Sequence, residues 1–151
     1  MELRELEEET VDAIAEMLKS MPQPLFAARD MLIDCIRACS MCQQACVACA
    51  DACIGAKAVE PLKRCIRVNL DCADICAATE RVLSRQESPD LGLLRHQVDS
   101  LAIACRACAA ECARHKDTYD HCRLCMEACR ACEQACNDLM GSAGFAQTGV
   151  H

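Results

Sequence analysis

Residues 35–53 read CIRACSMCQQACVACADAC, which places cysteines at positions 35, 39, 42, 46, 49 and 53. The gaps alternate between four and three. Residues three and four apart are neighbours on an α-helix surface, so this spacing keeps the six thiols on one stripe. The residues between them, among them Arg37, Ala38, Gln43, Gln44, Ala48 and Asp51, form or tolerate helix, and none is Gly or Pro. A seam ordinarily filled by Leu and Ile is filled by sulfur.

The same rhythm continues outward. The first seam predicts a helix from Leu25 to Ala56, about 48 Å long at about 1.5 Å per residue, beginning with Leu25, Ala28 and Leu32. Pro61 suits the first position of the next helix, which runs to about Arg85 along Cys65, Asn69, Cys72, Cys76, Thr79 and Leu83. Asn69 stands in a slot where the pattern calls for cysteine. Ser88-Pro89-Asp90 breaks the chain, and a helix over 91–115 follows along Leu94, Val98, Leu101, Cys105, Cys108, Cys112 and His115. After a turn at 116–118, the last helix carries Cys122, Cys125, Cys129, Cys132, Cys136 and Leu139 or Met140. Residues 2–20 form a separate amphipathic pattern (Leu3, Leu6, Thr10, Ile14, Met17, Leu18) with glutamates at 5, 7, 8 and 9, stopped by Pro22 and Pro24. The expected architecture is all-α: an up-down-up-down four-helix bundle over 22–140, an extra N-terminal helix over 1–21 and a loose tail over 141–151.

This topology sorts the core by height. Cys49, Cys53, Cys65, Cys112 and Cys122 fall near one end with His115 and His121. Leu25, Leu32, Leu83, Leu94, Val98, Leu101 and Leu139 fall near the other. The thiols have a mouth, and beneath them lies an aliphatic floor.

Composition narrows the chemistry. The 151 residues include 17 Cys, no Trp, one Tyr and two Phe, with a net charge of −7. So many cysteines would ordinarily signal a secreted disulfide scaffold. Against that, MELREL has neither the basic nor the apolar region of a secretory signal. Helical neighbours also lie about 5–6 Å apart at Cβ, whereas a disulfide needs about 3.5–4.5 Å. The odd count leaves at least one thiol unpaired, and a reducing cytoplasm is the expected compartment. The acidic charge argues against nucleic acid or an anionic membrane as partner, and no apolar run reaches the roughly 20 residues of a membrane span.

Seventeen small side chains would underfill a bundle core, which points to metal as the filler. Thiolate selects Cu(I), Zn(II) or iron–sulfur clusters. Iron–sulfur cysteines usually come from loop runs closed by Pro, unlike these seams. A zinc ion on four unshared thiolates leaves two uncompensated charges in a low-dielectric core. Cu(I) neutralises one thiolate each and accepts two or three sulfurs, so about one copper per cysteine leaves the core near neutrality. Zinc with bridging thiolates stays open as an alternative.

At the C-x-x-x-C pairs Cys35/Cys39, Cys42/Cys46, Cys49/Cys53, Cys72/Cys76, Cys108/Cys112, Cys125/Cys129 and Cys132/Cys136, the sequence resembles the cytosolic branch of the bacterial copper storage proteins. The resemblance spans about residues 24–140. It implies a bundle holding many Cu(I) ions along its core, assembled as a tetramer, with histidines near the open end assisting entry. Cys105 and Cys122 fit the seam at three-residue spacing. Cys65 has Asn69 as its partner, offering either a weak oxygen ligand or a core hydrogen bond. His115 extends the Cys105–Cys112 stripe as a rim ligand, and His121 adjoins Cys122. His96 reads as a surface residue. Met41 and Met126 border the seam off its centre, and Met31 or Met140 would help close the floor. The expected activity is high-capacity cytosolic storage of Cu(I) rather than catalysis. The alternatives are a sink for zinc or other soft metals and a redox enzyme using C-x-x-C pairs such as Cys39/Cys42, whose inward, mid-helix placement opposes that use.

Overall fold

A computed structural model describes residues 13–22, 24–25 and 27–142. Among these there are five helices and no strand. The described part of α1 is residues 13–19. Four long helices follow: α2 (Arg29–Ile54), α3 (Lys63–Leu83), α4 (Leu91–Ala113) and α5 (Asp120–Met140). Each packs against the next, and α5 returns to α2, which is the square of an up-down-up-down bundle. The expected positions Leu3, Leu6 and Thr10 and the tail from 143 onward lie outside the described residues.

Two helix starts differ from the sequence reading. α2 begins at Arg29, so at 26 residues it is about 39 Å long rather than 48 Å. Ala28 is extended (φ −55°, ψ 126°) and supplies no side-chain cap, and Leu25 packs on the core from the segment before the helix. Pro61 belongs to a 3-10 turn, Glu60–Leu62, that precedes α3. A residue without an N–H and with φ fixed near the helical value suits such a first turn. α4 has the best-defined start: Leu93 N–H donates to the Asp90 carboxylate at 2.9 Å, closing an N-cap.

The seams face inward as their periods require. The aliphatic floor is formed by Leu32, Ile36, Leu83, Leu94, Val98, Leu101 and Leu139, all at most 3% exposed. Leu18 of α1 and Ala27 join the same core and Met140, partly buried, packs against it, whereas Met31 is 40% exposed and does not close the floor. Thr79 marks the border between floor and thiols. Its hydroxyl donates to the Ile75 carbonyl at 2.7 Å and accepts from Gln97 Nε2 at 3.0 Å, so this buried polar group is satisfied from two sides. On the outer surface, Arg106 on α4 pairs with Glu133 on α5 at 2.8 Å.

Candidate metal centre

All 17 cysteines are free, and all are buried at no more than 1% exposure. The underfilled axis expected from small side chains does not occur. Small residues let helices approach closely, and here they approach until sulfurs touch: Cys42–Cys129 and Cys46–Cys129 are 3.7 Å apart, Cys46–Cys125 3.8 Å, and Cys42–Cys46 3.9 Å. A metal–thiolate bond of about 2.3 Å gives sulfur–sulfur edges of about 3.8 Å in a tetrahedron and about 4.0 Å in a triangle. The array therefore has the spacing of a three- or four-coordinate metal before any metal enters.

The sulfurs gather into five groups within which all ligand atoms lie within 4.8 Å. The mouth quartet is Cys49, Cys53, Cys65 and Cys122; the neck trio is Cys49, Cys112 and Cys125. Below them come a middle quartet (Cys46, Cys108, Cys125, Cys129), a lower quartet (Cys42, Cys46, Cys72, Cys129) and a deep quartet (Cys42, Cys76, Cys105, Cys132). Cys35, Cys39 and Cys136 lie outside these groups, nearest the floor. Cys35 exchanges hydrogen bonds with Cys136 and then Cys39, which favour its thiolate and lower its pKa below the ordinary thiol value, against the opposing effect of burial.

At the mouth, burial is the largest influence on Cys53, pushing its thiol from 9.0 up to about 11, and the neighbouring charge of Cys65 acts in the same direction. Cys122 is raised for the same two reasons. These thiols hold their protons at neutral pH, so metal binding there must displace them.

The non-sulfur residues sort clearly. Asn69 is fully buried and sits among four thiols: Oδ1 accepts from Cys125 at 2.9 Å and Cys108 at 3.1 Å, with Cys112 at 3.8 Å, and Nδ2 donates to Cys65 at 3.3 Å. His121, half-buried with its ring centroid 5.2 Å from that of Tyr119 and tilted by 37°, places Nδ1 3.5 Å from Cys122, 3.6 Å from Cys49 and 3.8 Å from Cys53. His115 instead places Nε2 3.4 Å from the Glu111 carboxylate. Of the two histidines, His121 is the one set against sulfur. His96 is exposed, Met41 is 68% exposed, and Met126 is buried beside the seam. Glu111 escaped the sequence reading. It is nearly buried at the mouth, with Arg114 at 3.3 Å and Arg64 at 3.8 Å. Its signal was available: it precedes Cys112 and stands four residues before His115, hence one turn below it.

Charge decides what such an array can hold. The five groups use fourteen different cysteines. Five divalent ions there would leave four thiolate charges unneutralised in a buried core, which is strongly unfavourable. A monovalent soft ion per thiolate leaves none.

The family model for copper storage proteins matches residues 28–141. The chain belongs to the copper storage protein family. A Streptomyces lividans copper storage protein loaded with 10 copper equivalents aligns with TM-score 0.83 and 45% identity, over 84% of this chain and 97% of that one. A structure of copper loading to a cytosolic copper storage protein of the same organism, with five coppers, aligns with TM-score 0.73 and 47% identity, over 80% and 96%. The Cu(I)-bound copper storage protein of Bacillus subtilis aligns with TM-score 0.62 and 32% identity, over 70% and 93%. The family match, residues 28–141, takes in all four cysteine-bearing helices, α2–α5.

Proposed function

We propose that this protein stores Cu(I) at high capacity, with the seventeen thiolates of its core as the ligands. The observation that carries this reading is the connected array of buried, reduced sulfurs at 3.7–4.0 Å spacing. Each copper binds with loss of one thiol proton, so the loaded core stays near neutrality as it fills. His121 receives copper at the mouth and hands it to Cys49, Cys53 and Cys122. Asn69, whose Oδ1 lies among Cys108, Cys112 and Cys125, orients these thiols through hydrogen bonds and offers a weak oxygen ligand beside them.

The cytosol is the proposed compartment. A relative is described as cytosolic, and no described helix is long and apolar enough to cross a membrane. Assembly as a homotetramer fits the apolar side chains left outside the bundle, among them Val47, Leu70, Ile103 and Leu124, each more than 40% exposed. We assign no catalytic role, since Cys39, Cys42 and the other C-x-x-C thiols are inaccessible to a substrate.

Titrating the reduced apo-protein with Cu(I) against a competing chelator tests the reading. Storage gives tight uptake of more than about ten equivalents. Saturation after one to about four, the capacity of discrete sites, sinks it.

A further inference from the structure

The mouth differs from the deeper core in holding a nitrogen among its sulfurs. Cys49 and Cys53 stand one turn apart near the end of α2, and His121 and Cys122 lie in the first turn of α5. His121 Nδ1 is 3.6 Å from Cys49, 3.8 Å from Cys53 and 3.5 Å from Cys122, and the three sulfurs lie within 4.8 Å of one another. Metal bonds of about 2.3 Å to sulfur and about 2.0–2.1 Å to nitrogen give nitrogen–sulfur edges of about 3.5 Å in a tetrahedron. The imidazole therefore stands at one corner of a three-cysteine, one-histidine tetrahedron, a ligand set that suits zinc. Cys65, the other member of the mouth quartet, meets Cys112 at 3.7 Å and stays with the neck.

Charge separates this corner from the groups below it. A divalent ion on four thiolates leaves two negative charges, and in the middle, lower and deep quartets nothing offsets them: no Lys or Arg is buried among the described residues. With His121 in place of one thiolate, a single negative charge remains. At the same mouth Arg64 and Arg114 share one carboxylate, that of Glu111, at 3.8 and 3.3 Å, so this cluster keeps a positive charge in excess.

We propose that Cys49, Cys53, Cys122 and His121 form a site for one Zn(II) ion, which clips the end of α2 to the start of α5 while copper is absent. The three thiols each lose a proton to solvent as their sulfurs bind, and the neutral imidazole supplies the Nδ1 lone pair. Zinc content stops at one ion per chain, because no deeper group has both the nitrogen and the neighbouring cations. Cu(I) arriving at the mouth takes the same thiolates, and the zinc leaves as Zn(II). No electron moves in either step.

Zn(II) titration of the reduced, copper-free full-length protein against a chromophoric chelator, with proton release followed in weak buffer, tests this. One tight equivalent is expected, releasing about three protons. Co(II), used as a spectroscopic stand-in, should give the intense visible bands of a tetrahedral sulfur–nitrogen site. His121→Ala should weaken zinc binding by more than the roughly tenfold that loss of an outer partner alone causes, and Cys132→Ser, deep in the core, should leave it unchanged. Circular dichroism checks the helices of both variants; if His121→Ala loses them, the cobalt spectrum of the unmodified chain decides. No tight equivalent, several equivalents of equal affinity, a weak octahedral cobalt spectrum, or zinc binding indifferent to His121→Ala overturns the proposal. Zinc retained after Cu(I) has filled the protein also counts against it. The storage reading fails or stands separately, on the Cu(I) titration of protein that has met no zinc.

Discussion

Single side chains at the mouth differ in what they face and in how readily they hold a proton. His121 faces three sulfurs through Nδ1, while His115 is engaged with Glu111. His121→Ala is therefore expected to slow early Cu(I) uptake several-fold with little change in final capacity, and His115→Ala to slow it less. Loading rates of the two variants measured side by side check this, and the reverse order contradicts it. The raised thiol of Cys53 has a second consequence, for stability. Folding lifts its pKa from 9.0 to about 11, so between those values the folded chain keeps a proton that the unfolded chain loses. Below that window both states are protonated and nothing is gained or lost; through it, the folded state binds more protons and stability falls as pH rises. Denaturant unfolding of the reduced apo-protein on either side of the window should show the decline, and constant stability would refute the assignment.

At the scale of the helix, the two halves of the core have separate duties. Leu101→Ala in α4 opens a cavity in the floor and is expected to cost about 2–5 kcal/mol, with copper uptake unchanged so long as the chain stays folded. Denaturant midpoints and copper counts on the same sample check both parts. The helices and their buried faces were readable because cysteine at four-three spacing repeats over four seams, and only a helix places such residues on one side. Their ends were less readable. Nothing at Ala28 marks the start of α2 by capping chemistry, and Pro61 fits a 3-10 turn as well as a first α-turn. The roles of His115 and His121 were equally hidden. They depend on how α4 ends and α5 begins around Tyr119, a matter of three-dimensional turn geometry that seam spacing does not encode. Asn69 was visible as an exception, whereas its four thiol neighbours come from α3, α4 and α5 and needed the assembled bundle.

Over the whole molecule, copper acts as both cargo and core. The apo bundle already packs sulfur on sulfur, so loading adds metal–thiolate bonds between helices without a new fold. A ligand that binds only the folded state at about a thousand times its dissociation constant stabilises it by about 4 kcal/mol per site. The loaded protein should consequently melt well above the reduced apo form, and a chelator should reverse the shift; equal melting temperatures would mean that copper does not bridge the helices. The central claim is that each buried thiol gives up one proton to one monovalent ion. Proton release and copper uptake, measured together in weakly buffered solution at neutral pH, test it most directly. The account predicts about one proton per copper, held constant past ten equivalents. Release that stops after the first few ions, or two protons for every metal bound, would contradict it.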